Sequence, residues 1–413
     1  MSVQGIKRKR TSVSPHPKKR DPPLLHASPA IPKLSNELIA RIVDYLHNDT
    51  RSLKSCSLAS HSFLARARHS LFEIVHLNLR TCRKFLDILE TSPGVGPYVK
   101  EVHIAVSPRE TPPWVDQHLP AISAKLPNVL RLYIGGQAVY KAAPLIGFSS
   151  IREMHILACE IESTNAFLTL LGSFPQLETM YTNEMCVYRD ADPSADDGPP
   201  VSKRPPNLKS ITFNSSRGDA NKAMNWLVSR SFCQTLERYT ACPFQDIGLK
   251  AAGPLVKACG PVLKQFKLGL VAMKTQGGFG DIFGSEEFSL AKNTNLVTLE
   301  LCSPAALAKL YGADDLSFDW FPLILAQVSS PYIEEVGFYL WEEDLGQLST
   351  SPWTRIVDLL ASPQFSSLRK IAFHVWGNEE ATSQITENVK QKFIRLADRD
   401  ILRFDSTPDP ACV

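Results

Sequence analysis

From Leu34 to Phe72 the apolar residues recur at helical spacing. Leu38, Ile39, Ile42, Val43 and Leu46 fit one stripe of a first helix, and Ser35 stands where it can cap the N-terminus. His47, Asn48 and Asp49 interrupt the pattern. A second helix is expected around Leu53, Cys56 and Leu58, and a third around Phe63, Leu64, Ala67 and Leu71. Three short helices in about forty residues bury little apolar surface, so this module is expected to be completed by contact with another surface.

Beyond Phe72 the pattern changes to a recurring triplet, apolar-x-x-apolar-x-apolar. It occurs at Val99, Val102, Ile104; Val129, Leu132, Ile134; Ile151, Met154, Ile156; Leu208, Ile211, Phe213; and Leu263, Phe266, Leu268. It continues at Leu296, Leu299, Leu301; Ile333, Val336, Phe338; and Leu368, Ile371, Phe373, with weaker copies starting at Leu177 and Leu236. Successive copies start 22 to 37 residues apart, a drifting period that predicts an irregular solenoid. In each copy the two apolar residues flanking one polar position belong on the buried face of a short strand, and the first anchor tucks into the preceding turn. Stretches between copies are helical in pattern, as at 165–171 and 354–360. Strand then helix, repeated with right-handed connections, predicts parallel strands inside and helices outside.

Composition adds three boundaries to this picture. Residues 1–30 hold seven Lys and Arg against one Asp, so the arm carries +6 and the rest of the chain −3 of a net +3. With its many Ser and Pro the arm is expected to be disordered. Its clusters Lys7, Arg8, Lys9, Arg10 and Lys18, Lys19, Arg20 fit a bipartite nuclear import signal with an import receptor as partner; a solubilising basic arm is the alternative. Ser14, followed by Pro15, is a candidate phosphorylation site there, with an unmodified Ser-Pro as the equal alternative. A slightly acidic body is a poor polyanion binder, so no nucleic-acid partner is expected. Residues 187–206 read as an insertion in the array, and 407–413 as a tail. Nine scattered cysteines without a C-x-x-C pair read as reduced thiols, and Cys56 and Cys302 as small buried apolar residues. No stretch approaches the roughly 18 apolar residues of a membrane span, so no membrane is expected as partner and the chain should be soluble, in nucleus, cytoplasm or both.

Residues 31–72 resemble the F-box in the form common in fungal proteins. Leu34-Ser35-Asn36-Glu37-Leu38-Ile39 stands where that family has Leu-Pro-x-Glu-Leu-Ile, and Ile42 to Leu46 continues its first helix. Arg51 to Leu58 matches the segment before the family's Val-Cys-Arg-x-Trp. The end departs, with Ala59, Ser60, His61 and Phe63 at the Val, Cys, Arg and Trp positions. The triplets at 73–406 resemble the leucine-rich repeat, L-x-x-L-x-L-x-x-N/C, a common companion of the F-box. The final Asn or Cys is present at Cys159, whereas Ser107, Gln137, Phe244 and Pro304 occupy equivalent positions. The expected fold is therefore α/β, a three-helix F-box-like module followed by an irregular leucine-rich-repeat solenoid. The F-box resemblance implies docking of Leu34, Leu38, Ile42, Val43, Leu46, Leu53 and Leu58 on the Skp-family adaptor of a cullin-RING ligase. A small cap for the first repeat is the alternative for the same residues.

Catalytic chemistry finds no foothold. The glycines at 277–284 lack a G-x-G-x-x-G or Lys-Ser/Thr pattern, and there is no G-x-S-x-G, H-E-x-x-H or EF-hand sequence. Ten histidines and nine cysteines show no metal-ligand spacing, so no enzyme activity, cofactor or metal is expected. Recognition is expected on the inner face. Alternation exposes Glu101 and His103, Arg131 and Tyr133, Glu153 and His155, Thr179 and Tyr181, Arg238 and Thr240, Gln265 and Lys267, Thr298 and Glu300. Ten strands would make a strip about 43 Å long. His103, Tyr133, His155 and Tyr181 share one position in successive repeats, and this aromatic file is the candidate target-binding site, with solvated strand residues as the alternative. The target protein is not named by the sequence.

Overall fold

The computed structural model describes residues 35–107, 113–136, 138–187, 207–214, 220–229, 232–242, 246–270, 283, 288–303, 318–346, 348, 352–397 and 399–405. The basic clusters at 7–10 and 18–20, Ser14, Leu34, the glycines of 277–284, the tail at 407–413 and all of the 187–206 insertion except Val187 lie outside them.

Helices α1 (Asn36–Tyr45), α2 (Thr50–Ala59) and α3 (His61–Phe72) come first. Two have side-chain caps. Ser35 Oγ accepts from the Leu38 N–H at 3.3 Å, and the Asp49 carboxylate accepts from the Arg51 and Ser52 N–H groups, both at 3.0 Å. Each satisfies backbone donors that a helix start leaves without partners.

The triplets become strands because alternation sends every second side chain to one face. Along the chain these are β1 (Ile74–Leu77), β2 (Glu101–Ala105), β3 (Arg131–Gly135), β4 (Val139–Tyr140), β5 (Glu153–Leu157), β6 (Glu160–Ile161), β7 (Thr179–Asn183) and β8 (Cys186–Val187). They continue as β9 (Ser210–Asn214), β10 (Arg238–Cys242), β11 (Gln265–Gly269), β12 (Thr298–Cys302), β13 (Glu335–Trp341), β14 (Lys370–Trp376) and β15 (Leu402–Asp405). Twelve of these form one sheet, wholly parallel and in chain order, while β4, β6 and β8 form a small parallel sheet beside it. The expectation of ten main strands is corrected to twelve, with β1 and β15 added at the two ends.

Register carries the core. Val102, Leu132, Met154, Met180 and Ile211 align across β2 to β9, and Leu299, Val336 and Ile371 align across β12 to β14. All are fully buried, as are the leading anchors from Val99 to Ile333. Against this face pack residues of the intervening helices, such as Phe85 and Leu89 of α4 (Cys82–Thr91), Leu119 of α5 (Pro113–Ser123), Phe167 and Leu170 of α6 (Thr164–Gly172) and Ile356 of α10 (Pro352–Leu360). Between α6 and α10 lie α7 (Ala220–Ser229), α8 (Asp246–Cys259) and α9 (Trp320–Leu325), and α11 (Glu379–Lys392) follows. The layout is mixed α/β, a long parallel sheet with helices on one face, and is that of a repeat solenoid. The opposite face is the open one.

Candidate interaction surfaces

The helical module has a small core of its own. Val43, Leu53 and Ala67 are buried, with Leu46, Cys56, Phe63 and Leu71 packed against them. Cys56 is only half-buried, because it sits at the rim of this core; Cys302 is buried as expected from its apolar character. Arg66 of α3 grips Asp44 of α1 with two hydrogen bonds, at 2.7 and 2.9 Å, and these bonds hold the Asp44 carboxyl below the usual carboxylate range. Both side chains are more than two-fifths exposed, so the pair is worth under about 1 kcal/mol. At its far side α3 meets the first repeat, where the His69 ring lies 5.9 Å from that of Tyr98.

The apolar stripe of α1 divides into two lines. Ile39, Val43 and Leu46 turn inward, whereas Leu38, Ile42 and Tyr45 turn outward at 48%, 42% and 89% exposure. Both lines have i, i+4, i+7 spacing, so each runs straight along the helix. Leu58 of α2 is also exposed, at 88%. Val43 and Leu53 are corrected from partner-facing to internal, because they form the module's own core, and Leu46 lies at its edge. Leu38, Ile42 and Leu58 remain available to a partner. Tyr45 joins them as an apolar residue that the sequence reading passed over, since it falls outside the stripe that faces the core.

On the open face the shared register draws five rings into one file. His76, His103, Tyr133, His155 and Tyr181 occupy the same rung of β1, β2, β3, β5 and β7. The ring centroids of His103 and Tyr133 are 4.2 Å apart and 5° from parallel; those of Tyr133 and His155 are 4.2 Å apart at 14°. His76 and Tyr181 close the two ends at 4.4 and 5.4 Å, more tilted. Stacked pairs of this kind contribute about 0.5–1.5 kcal/mol each beyond area burial. The four residues read from the sequence are therefore together, and His76 extends them. Its signal was present, since Phe72-x-x-Val75-x-Leu77 is itself a triplet.

A row of charges underlies the rings. Glu101, 7% exposed, takes Arg131 Nε and His103 Nε2 on its two oxygens, each at 2.5 Å, and Glu153 meets His155 Nε2 at 2.6 Å. Carboxylates only accept, so each histidine must donate through Nε2. Burial alone would raise the Glu101 carboxyl, but the bonds from His103 and Arg131 outweigh it and hold the group below its ordinary value. Burial, followed by the neighbouring His103, lowers His76. A carboxyl with a lowered folded-state value stabilises fully above its unfolded value of 4.5 and ceases to do so as pH falls through the folded value. Glu101→Gln is accordingly expected to lower stability at neutral pH and to flatten the fall in melting temperature as pH drops below 4.5. Parallel Tm curves for the two proteins would show that this carboxylate does not brace the file.

Toward the other end the open face is different in kind. Cys302, Tyr339 and Trp341 form a second buried cluster with Trp376 against it, and Lys267 Nζ stands 3.8 Å over the Tyr339 ring. Tyr339 and His374 stack at 4.4 Å. Among the described residues no group of three or more His, Cys, Asp or Glu could hold a metal, and no helix is long and apolar enough to cross a membrane.

No protein-family model matches this chain, and no curated protein matches it. Among solved structures it is similar to a chain of the yeast Rad7 and Elc1 complex, at 13% identity over 92% of this chain and 91% of that one, with a TM-score of 0.37. It is also similar to an internalin from Listeria monocytogenes, at 11% identity over 90% of this chain and 95% of that one, with a TM-score of 0.28.

Proposed function

We propose that this chain is a substrate-recognition subunit of a cullin-RING ubiquitin ligase, its helical module docking on a Skp-family adaptor and its repeats holding the target protein. The observation that carries the reading is the outward line of Leu38, Ile42 and Tyr45, apolar side chains left 42% to 89% exposed. A contiguous apolar strip on a module with so small a core is what a helix-binding partner surface would cover. In this role the chain does no chemistry. It raises the effective concentration of a target's lysines near a conjugating enzyme carried by other subunits, and needs no cofactor. The target would lie on the open face against the His103, Tyr133, His155 and Tyr181 file, and the basic arm would carry the chain to the nucleus through an import receptor.

A second reading is a repeat scaffold whose helices only cap the first repeat. The contact of α3 with Tyr98 favours it. Co-purification of the full chain with a Skp-family adaptor separates the two. The double variant Leu38→Asp, Ile42→Asp should lose the adaptor by at least about a hundredfold in affinity, since each hot-spot truncation costs 2 kcal/mol or more. Thermal unfolding of the repeats should not change. No capture of the adaptor by the parent protein would leave the scaffold reading.

A further inference from the structure

The middle rung of the open face changes size abruptly after Tyr181. The next two residues in register are Thr212 and Thr240, and bulk returns only at Lys267 and Glu300. Beside the shorter of these positions, at Thr240, lies a depression of about 240 Å³, bordered also by Ser210, Arg238, Lys267, Thr298, Glu300 and Glu335 among others. That volume is room for a few non-hydrogen atoms of a ligand in place of several waters.

Its border carries two cations, Arg238 and Lys267, and two carboxylates, Glu300 and Glu335. Lys267 Nζ lies 3.6 Å from Glu300, and Glu335, also on the border, lies 2.7 Å from Lys370. Arg238 is exposed, and among the described residues no carboxylate lies within ion-pair distance of it. The guanidinium is a planar fork of donors that matches a carboxylate with two parallel hydrogen bonds. The hydroxyls of Ser210, Thr240 and Thr298 are further donors at the same place.

We propose that this depression binds a single carboxylate of the target, with Arg238 as its anchor. The carboxylate is either an Asp or Glu side chain or the end of a chain. Lys267 and Lys370 stand against Glu300 and Glu335, which leaves Arg238 to meet one negative charge. A phosphate carries close to two negative charges and would face Glu300 and Glu335 with only that one cation to spare. The inference rests on the open face being the side that holds the target, and not on docking of the helical module.

Nitrogen-15 labelled full chain would be observed through its arginine Nε–H signals, with that of Arg238 assigned by its absence from Arg238→Lys. The probes are N-acetyl-Gly-Glu-amide, with only a side-chain carboxylate; N-acetyl-Gly-Gly, with only a terminal one; N-acetyl-Gly-Gln-amide, neutral; and N-acetyl-Gly-phosphoserine-amide. A saturable shift of the Arg238 signal with one of the first two, and none with the neutral probe, is expected, and which of the two acts identifies the source. Saturation transfer to the same probe should weaken about tenfold or more in Arg238→Gln, and less in Thr240→Val, which keeps the charge. No saturable shift with either carboxylate, or tighter binding of the phosphoserine probe, would overturn the proposal. Adaptor capture is measured on the same preparation. A silent Arg238 with the adaptor bound sinks this inference alone, whereas a responding Arg238 without the adaptor sinks only the ligase reading.

Discussion

Val43→Asp is expected to unfold the three helices while the strands behind them stay folded. Val43 is fully buried beside Leu53 and Ala67, and with Ile39 these are the buried apolar residues among those described in the module. Burying such side chains contributes about 1.5–3 kcal/mol for each large one, so the module is held by only a few kcal/mol. An unpaired carboxylate at that position costs several kcal/mol and finds no cation in the core to meet it. Hydrogen exchange should show amides of 36–72 losing protection while those of β2 to β14 keep theirs. Unchanged protection in α1 and α3 would mean that Val43 does not hold the helices together. The comparison with Leu38→Asp is informative because the two residues lie on one helix, one turned inward and one outward. The first substitution should cost folding and the second only binding.

The second large effect lies at the far end. Phe338→Ala should lower stability by about 3–5 kcal/mol, the usual range for deleting a fully buried aromatic ring. The ring is 0% exposed and is surrounded by Phe321 at 5.6 Å, Trp353 at 5.8 Å, Phe373 at 5.3 Å and Phe393 at 6.4 Å, so collapse around the lost volume is blocked by other large rings. These partners come from α9, β14, α10 and the residue after α11. Urea unfolding followed by tryptophan fluorescence would read the change, with Trp353 as a reporter inside the cluster. A loss under about 1 kcal/mol would show that the cluster can repack.

The solenoid was legible because its strands repeat one alternation that puts two apolar residues beside one polar residue. Where that rule is broken, reading from the sequence fails for identifiable reasons. In β1 the triplet is complete, but Phe72 also ends the stripe of α3 and is absorbed into the helix. In β15 the apolar pair Leu402 and Phe404 is present, but the leading position holds Arg399, whose guanidinium donates to the Leu368 carbonyl at 2.9 Å. A cation can close that turn as an apolar anchor does, and periodicity alone does not reveal it. In α1 the five apolar residues fit one broad stripe, and helical spacing does not say which of two adjoining lines faces inward. Only contact with α3 decides that Val43 is internal and Ile42 is not. The ring file, by contrast, could be read in advance, because strands in register bring equivalent positions together whatever the loops between them do. The acidic run at 342–344 shows the opposite case. It has the composition of a solvated turn, yet Asp344 is fully buried, accepting from Ser303 Oγ at 2.7 Å and the Trp341 N–H at 2.8 Å.

Every strand of the main sheet bonds only to those that precede and follow it along the chain. In such a stack each strand of the sheet is held by its neighbours in the sequence, and tension applied between the ends meets each layer separately. Pulled in a single-molecule trap, it is expected to peel in a series of small steps instead of giving way at once, and a nick in one connecting segment should leave the layers on either side standing.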